Sequence, residues 1–283
     1  MDYTLQIQDI AGKLFSEGKI DLFIGYRQAG KTEADLPLLI NHYTQVDQLV
    51  FSDRSVYNLT NYLTDEQARG KRVGIVVKGC DSRALNMLLT ENQVKRDRLF
   101  IVGIACEGVV DAQGKMEPRC SECVMPDPVV FDEILGSPKG AKPYRVNPDV
   151  EALSALSLAE RARYFEGIFS CCIRCNACRH SCPLCYCATC CIDQETSVLF
   201  QGSNTTSCAF HALITWSLHL AGRCVDCRNC ERACPEHLPL HLLHKQNERV
   251  IHAHFQQHLA GIEANERGAF YTYNLNDPDD FIL

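Results

Sequence analysis

Two stretches of the chain repeat one spacing of cysteine residues. Residues 172–183 read CIRCNACRHSCP and residues 224–235 read CVDCRNCERACP, so both follow the pattern C-x2-C-x2-C-x3-C-P. Three thiolates at successive three-residue steps can wrap one corner of an iron–sulfur cubane, while the fourth, before proline, is carried to the other cubane. The doubled spacing therefore predicts two 4Fe-4S clusters with crossed ligand sets.

Each cluster is expected to take three cysteines from one motif and the fourth from the other. Group I, for cluster I, consists of Cys172, Cys175, Cys178 and Cys234. Group II, for cluster II, consists of Cys224, Cys227, Cys230 and Cys182. The alternative is structural zinc, which usually takes two close cysteine pairs around a longer loop and needs only four ligands. Two complete copies of the three-step spacing favour iron–sulfur clusters.

Four further cysteines lie in the first half of the chain. Group III consists of Cys80, Cys106, Cys120 and Cys123. The first two end apolar runs predicted as strands, and in an open α/β sheet ligands collect beyond the carboxyl ends of strands. The other two form a C-x2-C pair in the following loop. We expect a third 4Fe-4S cluster here; the alternative is that Cys80 and Cys106 are small buried side chains, as free cysteine often is.

A last set of cysteines follows the first motif closely. Group IV consists of Cys185, Cys187, Cys190 and Cys191, and Cys171 and Cys208 lie nearby. Their spacing matches no standard ligand pattern. They either hold a fourth metal centre or line the first two, and the sequence leaves both readings open.

The elements that must position these cysteines differ between the two halves. Residues 1–150 alternate short apolar runs with amphipathic stretches, which favours an α/β domain with a parallel or mixed sheet. The predicted strands are residues 20–25, 48–52, 72–79 and 98–106, and the predicted helices include 55–69 and 82–93. Residues 25–32, GYRQAGKT, fit a phosphate-binding loop, but Pro37 falls inside the helix that must follow, so we read a simple turn.

Residues 151–269 are predicted to form a helical, ferredoxin-like dicluster domain. Ser157 and Glu160 have the spacing of a capping box and predict a helix to about Phe169. Two more helices are predicted over about 206–221, ended by Gly222, and over 241–255. The predicted inward stripe of the first is Phe210, Leu213, Ile214, Ser217 and Leu218. Residues 270–283 are aromatic and acidic and are predicted to form an extended tail.

Composition narrows the class of protein. The chain has 283 residues and a net charge of −7, so it offers no basic surplus for nucleic acid. No apolar run approaches the roughly 20 residues that cross a bilayer, and the start of the chain lacks the features of a secretion signal. A cytoplasmic location is therefore expected. At 18 cysteines in such a chain, metal binding is favoured over disulfides.

Three features of the first half resemble those of a known family. They are residues 79–85 (GCDSRAL), residues 104–108 (IACEG) and the Cys120–Cys123 pair. Over about residues 15–140 the chain resembles the beta-subunit family of deazaflavin-reducing hydrogenases and formate dehydrogenases. The resemblance implies electron transfer between a hydride carrier and metal clusters through bound FAD, with a 4Fe-4S cluster in the flavin domain. Here the ferredoxin motifs follow that domain instead of preceding it, the α/β part is shorter, and no Gly-x-Gly-x-x-Gly loop is present.

Together these features predict an iron–sulfur electron-transfer subunit of a multi-subunit cytoplasmic oxidoreductase. A formate dehydrogenase, a hydrogenase or a heterodisulfide-reductase-like complex would fit, and the partners would be its other subunits. The alternative is a flavin-containing catalytic subunit that converts a hydride pair into single electrons. Bound FAD would distinguish the two.

Overall fold

The computed structural model describes the chain except residues 31, 145, 195–204, 258, 264–267, 271–274 and 276–283. Its contacts divide into two compact units. The first comprises Met1–Pro143 together with the segment that begins at Gly261, and the second comprises Tyr144–Ala260. The tail predicted over 270–283 lies, apart from Phe270 and Leu275, outside the described residues.

Five strands form one mixed sheet in the first unit, in the order β2-β1-β3-β4-β5. They are β1 (Leu22–Arg27), β2 (Leu36–Ile40), β3 (Val73–Val77), β4 (Leu99–Ile104) and β5 (Glu133–Leu135). Strands β1, β3, β4 and β5 run parallel, with Val73 opposite Leu99, whereas β2 pairs antiparallel with β1. The predicted α/β domain with a parallel or mixed sheet is therefore confirmed, in its mixed form.

Three helices belong to the first unit, and the central strand β3 is fully buried. They are α1 (Thr4–Ser16), α2 (Gly79–Thr90) and the short α3 (Pro118–Ser121). Helix α1 buries one face, Ile7, Ile10, Ala11 and Leu14, at the spacing of an amphipathic helix. Strand β3, VGIVV, is buried at every position, as expected of a parallel strand covered on both faces.

Two predicted elements of the first unit are wrong. Residues 48–52 make only the isolated bridge between Tyr26 and Val50. Residues 55–69 contain a 3-10 turn, Leu59–Thr64, instead of an α-helix. The Asn58 side chain accepts from the Thr60 amide at 3.1 Å, a local bond that competes with helical pairing. The other 3-10 turns described in this unit are Tyr43–Gln48 and Arg96–Arg98.

Strand β2 is not among the predicted strands, and it contains Pro37. Pro37 pairs with Tyr26 on the edge of the sheet, where its missing N–H is tolerated. A phosphate-binding loop requires a helix at this point of the chain, and a strand occupies it instead. The structure thus argues against a phosphate-binding loop: residues 25–27 end β1, and residue 31 lies outside the described residues.

The second unit is helical throughout its described residues. Its helices are α4 (Pro148–Ala155), α5 (Leu158–Ser170), α6 (Ala177–His180), α7 (Thr206–His219), α8 (Asn229–Ala233) and α9 (His241–Phe255), with a 3-10 turn at Cys191–Asp193. The capping box is confirmed, since the Ser157 amide donates to Glu160 Oε2 at 2.9 Å and the Glu160 amide to Ser157 Oγ at 3.3 Å. None of the described helices is long and apolar enough to span a bilayer.

The predicted inward stripe of α7 is partly wrong. Phe210 and Leu218 are 42% and 58% exposed. The helix instead buries Cys208, Ala209, Ala212, Leu213, Trp216 and Ser217. Hydropathy alone favoured the stripe with the larger side chains, whereas the helix packs its smaller residues and its tryptophan against the cysteine loops. Gly222 has a φ of +70° just past the helix, as its predicted role requires.

Gly74, in the central strand β3, tests how tightly the sheet packs. A Cβ at this position would lie 2.4 Å from Phe23 Cδ2, so we expect Gly74→Ala to lower the free energy of unfolding by about 1–3 kcal/mol. Gly12→Ala is the matched control, because nothing lies within 4 Å of a new Cβ there. In the interior of α1 it should raise stability by roughly 0.5–1 kcal/mol. Chemical denaturation measures both, and equal stabilities would contradict the close contact.

Candidate metal centres

The two cysteine motifs fold into the same local conformation. In each, the residues on both sides of the second cysteine have a left-handed backbone: Arg174 (φ 55°), Asn176 (φ 60°), Asp226 (φ 55°) and Arg228 (φ 51°). None is glycine, so each costs roughly 1–2 kcal/mol and persists only where the surroundings require it. Where left-handed and right-handed backbone conformations alternate, successive N–H groups point into one concave surface. This arrangement is found around phosphates and iron–sulfur clusters.

Backbone N–H groups in these loops donate to the cysteine sulfurs. The Arg174 amide donates to Cys172, and at the equivalent place in the second motif the Asp226 amide donates to Cys224. A hydrogen bond to sulfur favours the thiolate over the thiol. Both loops are therefore shaped to hold negative charge on their cysteines.

Packing of the short helices α6 and α8 brings the two motifs together. Each helix carries the third cysteine of its motif, and the Asn229 side chain at the start of α8 donates to the Ser181 carbonyl just after α6 at 3.3 Å. Cys182 follows α6 and Cys234 follows α8. The fourth cysteine of each motif consequently lies against the other motif.

Electrostatic interactions between thiols join the eight cysteines of the two motifs in two sets. Cys178 interacts electrostatically with Cys172, Cys234 and Cys175, which together are group I. Cys230 interacts with Cys227, Cys224 and Cys182, which together are group II. In each group, three thiols come from one motif and the fourth comes from the other.

Burial makes these thiols hard to ionise without a bound cation. It raises the pKa of Cys178 to about 12, and neighbouring thiols add to the effect. Burial together with the Asp226 carboxylate raises the pKa of Cys224 to about 12, and burial holds the pKa of Cys182 well above its usual value. Because thiolates are the metal-binding form, both groups need positive charge between their sulfurs to serve as ligands.

The group I thiols line a cavity whose remaining wall comes partly from α7. That wall includes Ala212, Leu213 and Trp216. Trp216 is only 2% exposed, and its indole Nε1 finds no hydrogen-bond partner in the part of the chain that the structure describes. A buried N–H without a partner usually costs about 1–3 kcal/mol. The cavity thus offers four thiols and one unused donor, which fits a bound group with sulfur acceptors.

The two groups differ in their access to solvent. Cys175, the second cysteine of the first motif, is exposed, whereas the equivalent Cys227 is 8% exposed. Cys230 is buried as well, and Cys178, its equivalent, is half-buried. Group I therefore has one open edge, and group II is more enclosed.

Group III lies at the carboxyl ends of two neighbouring parallel strands. Cys80 is the second residue of α2, directly after β3, and Cys106 comes after β4. The Cys106 amide donates to the Pro126 carbonyl at 3.3 Å, and a Cβ on Gly79 would lie 2.3 Å from the Met125 carbonyl oxygen. These contacts hold the segment after Cys123 over the strand ends.

Hydrogen bonds to sulfur also occur within group III. The Gly108 amide donates to Cys106 Sγ and the Val109 amide to Cys120 Sγ, both at 3.4 Å. Cys120 was predicted in a loop and instead belongs to the short helix α3. The pKa of Cys106 rises to about 11 through burial, opposed by the Gly108 amide and by the charge of Lys78.

Buried cations surround group III. Arg119 Nη1 lies 3.8 Å from Cys80 Sγ, and the Arg83 guanidinium opposes the burial that raises the pKa of Cys123. Both arginines are at most 6% exposed. Lys78 is fully buried and bonds Asp81 at 2.8 Å and Tyr26 Oη at 2.5 Å. Lys78 is paired with Asp81, and Arg119 Nε donates to Glu117 Oε2 at 2.8 Å, so carboxylates already compensate part of this charge. The positive charge beside the cysteine sulfurs is favourable for an anionic group held by the thiols.

Sequence analysis had not identified these cations. Lys78 immediately precedes the GCDSRAL segment and Arg119 immediately precedes Cys120, so their positions beside cysteines were the available signal. Burial disfavours the charge of Lys78, but Asp81, Tyr26 and Cys80 together outweigh it and hold the pKa of Lys78 above its usual value. Lys78 consequently remains charged at neutral pH.

The group IV thiols are neighbours on an anchored loop. Cys185 interacts with Cys190 and Cys187, and Cys191 interacts with the same two thiols. Arg223 Nη2 donates to the Leu184 carbonyl at 3.2 Å, and Arg179 Nη2 donates to both Asp193 carboxylate oxygens at 2.6 Å. Cys190 is buried, whereas Cys187 and Cys191 are exposed, as is Cys171; Cys208 is buried within α7. This arrangement does not separate a fourth metal centre from a lining role.

The thiols of these groups are gathered without being poised for coordination. Across the described residues, no three histidine, cysteine, aspartate or glutamate side chains stand in the geometry of a metal site.

No protein-family model matches the chain. Over 90 residues it is 28% identical to the F420-dependent formate dehydrogenase subunit beta of Methanocaldococcus jannaschii. The match covers 28% of this chain and 21% of the relative, so the chain spans about a fifth of that protein's length. The resemblance predicted from the sequence is supported to that extent, and the dicluster motifs are not tested by it. Over part of its length, the chain is thus similar to a subunit of an oxidoreductase.

Proposed function

We propose that this chain transfers single electrons within a cytoplasmic oxidoreductase complex, by means of two 4Fe-4S clusters in its second unit. The observation that carries the proposal is the repeated loop conformation together with the two crossed thiol groups. Groups I and II would hold clusters I and II, and a bound cluster would supply one-electron chemistry. The partners would be other subunits of a formate dehydrogenase, a hydrogenase or a heterodisulfide-reductase-like complex.

The chain's own residues would do three things for such clusters. The amides of Arg174 and Asp226 donate to cysteine sulfurs and so offset the negative charge of a cluster. The enclosed setting of group II keeps water away from one site. The exposed Cys175 leaves one edge of group I open, which is where an exchange partner could approach.

Group III is proposed to hold a third 4Fe-4S cluster in the first unit. Support comes from Cys80 and Cys106 at the strand ends and from Cys120, which interacts with Cys106 and Cys123. The buried side chains of Lys78, Arg83 and Arg119 add positive charge nearby. Electrons would enter or leave the chain there. For group IV we propose no role in this transfer, since neither reading of it is favoured.

A second candidate function is that of a flavin-containing catalytic subunit. The observation that favours it is the similarity to a beta subunit whose name describes an F420-dependent formate dehydrogenase. In that case the first unit would bind FAD and convert a hydride pair into single electrons. FAD in a one-to-one ratio with the purified chain would support this function, and its absence would leave the electron carrier.

Metal analysis of anaerobically purified protein tests the proposal directly. We expect roughly eight irons and as many acid-labile sulfides per chain from groups I and II, and about twelve with group III. Cys171→Ser is the control, because Cys171 is an exposed thiol outside all four groups and its loss should leave the iron content unchanged. Zinc without sulfide, in protein made with cluster assembly intact, would contradict the proposal. Co-purifying chains would identify the partners.

A further inference from the structure

Trp216 has a polar group that the fold of the described chain leaves unused. It is the sole tryptophan of the sequence and lies in the last part of α7. Its side chain lines the cavity of the four group I thiols and is 2% exposed. The indole Nε1 has no hydrogen-bond partner within the described residues. Buried tryptophans usually satisfy this N–H.

The indole ring is held in place from another direction. The ring of His244, on α9, packs against it edge to face, with 4.5 Å between centroids and 80° between planes. Burial lowers the pKa of His244 to about 4, so this neighbour is an uncharged imidazole at neutral pH. Trp216 is therefore a buried donor, packed against His244, in the lining of the cavity that the four group I thiols share.

We propose that Trp216 donates its indole N–H to a sulfur of cluster I and so makes that cluster easier to reduce. The inference rests on the proposed function, because it presumes a cluster in group I. A reduced cluster carries one more negative charge than an oxidised one, so a fixed donor to its sulfur stabilises the reduced state more. Hydrogen bonds to sulfur are a known determinant of cluster potentials. Trp216 acts as a positioning and tuning residue and not as a ligand.

The variant Trp216→Phe removes the N–H and keeps an aromatic ring. In the full chain, loaded with clusters, we expect unchanged iron and sulfide. At a fixed solution potential, the ratio of reduced to oxidised cluster I should fall about tenfold. For a one-electron couple, this corresponds to a lowering of the reduction potential by about 59 mV. Redox titration followed by electron paramagnetic resonance measures the ratio. A Cys106→Ala/Cys182→Ser background, which lacks one ligand of group III and one of group II, assigns the shift to cluster I.

Ile192→Val is the matched control, because Ile192 lines the same cavity but carries no donor. It should leave the ratio unchanged. An unshifted ratio in Trp216→Phe, with iron intact, would overturn the inference and leave the proposed function standing. Iron-free parent protein would overturn the proposed function itself.

A second measurement needs no variant and covers the case in which Trp216→Phe loses its clusters. Because the chain has one tryptophan, indole labelled with nitrogen-15 reports on Trp216 alone. We expect hyperfine coupling between this nitrogen and a reduced cluster in the parent protein, together with an exchangeable proton coupling that disappears in deuterium oxide. Absence of both couplings would refute the hydrogen bond.

Discussion

The double variant Cys175→Ala/Cys234→Ser should keep about half of the iron bound by the second unit, whereas Cys175→Ala/Cys182→Ser should keep almost none. Each single variant should lose about half. The first pair removes two thiols of group I, so the second substitution causes no loss of a second cluster. The second pair removes one thiol from each group.

The reason for this expectation lies in the crossed arrangement. Cys234 interacts electrostatically with Cys172 and Cys178, although more than fifty residues separate it from them in the chain. Cys182 likewise stands with Cys224 and Cys227 of the other motif. If each motif instead supplied all four ligands of its own cluster, the two double variants would exchange outcomes.

Iron and sulfide analysis of the two double variants and the three single variants, all prepared anaerobically, decides between the arrangements. Cys171→Ser serves again as the control, because it removes a neighbouring cysteine that belongs to no group. Circular dichroism should accompany the iron analysis, because cluster binding is coupled to folding. If the second unit unfolded, it would lose both clusters at once. Half retention in Cys175→Ala/Cys182→Ser would refute the crossed assignment.

The sequence predicted the places of these cysteines well because their constraints are local. Three-residue steps and a following proline fix how far each thiol travels along the chain, and a repeated motif suggests a repeated loop. The left-handed conformations at Arg174 and Arg228 are different, because an arginine side chain does not favour that backbone. Only the finished loop, with amides turned toward the sulfurs, accounts for them.

Features that depend on packing between distant segments were not predicted. Trp216 was left out of the inward stripe of α7, because the stripe was chosen by hydropathy without knowing that the helix faces a cysteine cavity. Lys78 and Arg119 would ordinarily be read as surface charges, yet both are buried beside group III. Strand β2 was not predicted, because a strand tolerates Pro37 only at the edge of a sheet. Whether a strand lies at an edge depends on how the whole sheet is assembled.

The variant Cys106→Ala, in the full chain, should remove about a third of the total iron and leave the clusters of the second unit intact. Alanine is chosen because it separates the two readings of this position. If Cys106 is only a small buried side chain, alanine replaces it with little loss of packing and no loss of iron. If Cys106 is a ligand, one of four thiolates is missing and the third cluster is lost.

Group III should also show a structural consequence of losing its cluster. The Cys106 amide bonds the Pro126 carbonyl, and the Gly108 and Val109 amides donate to cysteine sulfurs, so the segment from Cys120 to Pro126 is tied to the strand ends through this site. Without a cluster, the buried charges of Arg83 and Arg119 face uncharged thiols and lose part of their compensation. We expect this segment to be cleaved faster by a protease.

Limited proteolysis with peptide mapping, alongside iron analysis, completes the test. In the parent protein, anaerobic loading with iron and sulfide should protect residues 120–126, and in Cys106→Ala the same treatment should not. Cys208→Ala is the matched control, since Cys208 is a buried thiol outside every group. It should retain all iron and full protection. A 4Fe-4S cluster that loses one protein ligand is not expected to keep full occupancy. Unchanged iron in Cys106→Ala would therefore indicate that Cys80 and Cys106 are small buried side chains and not ligands.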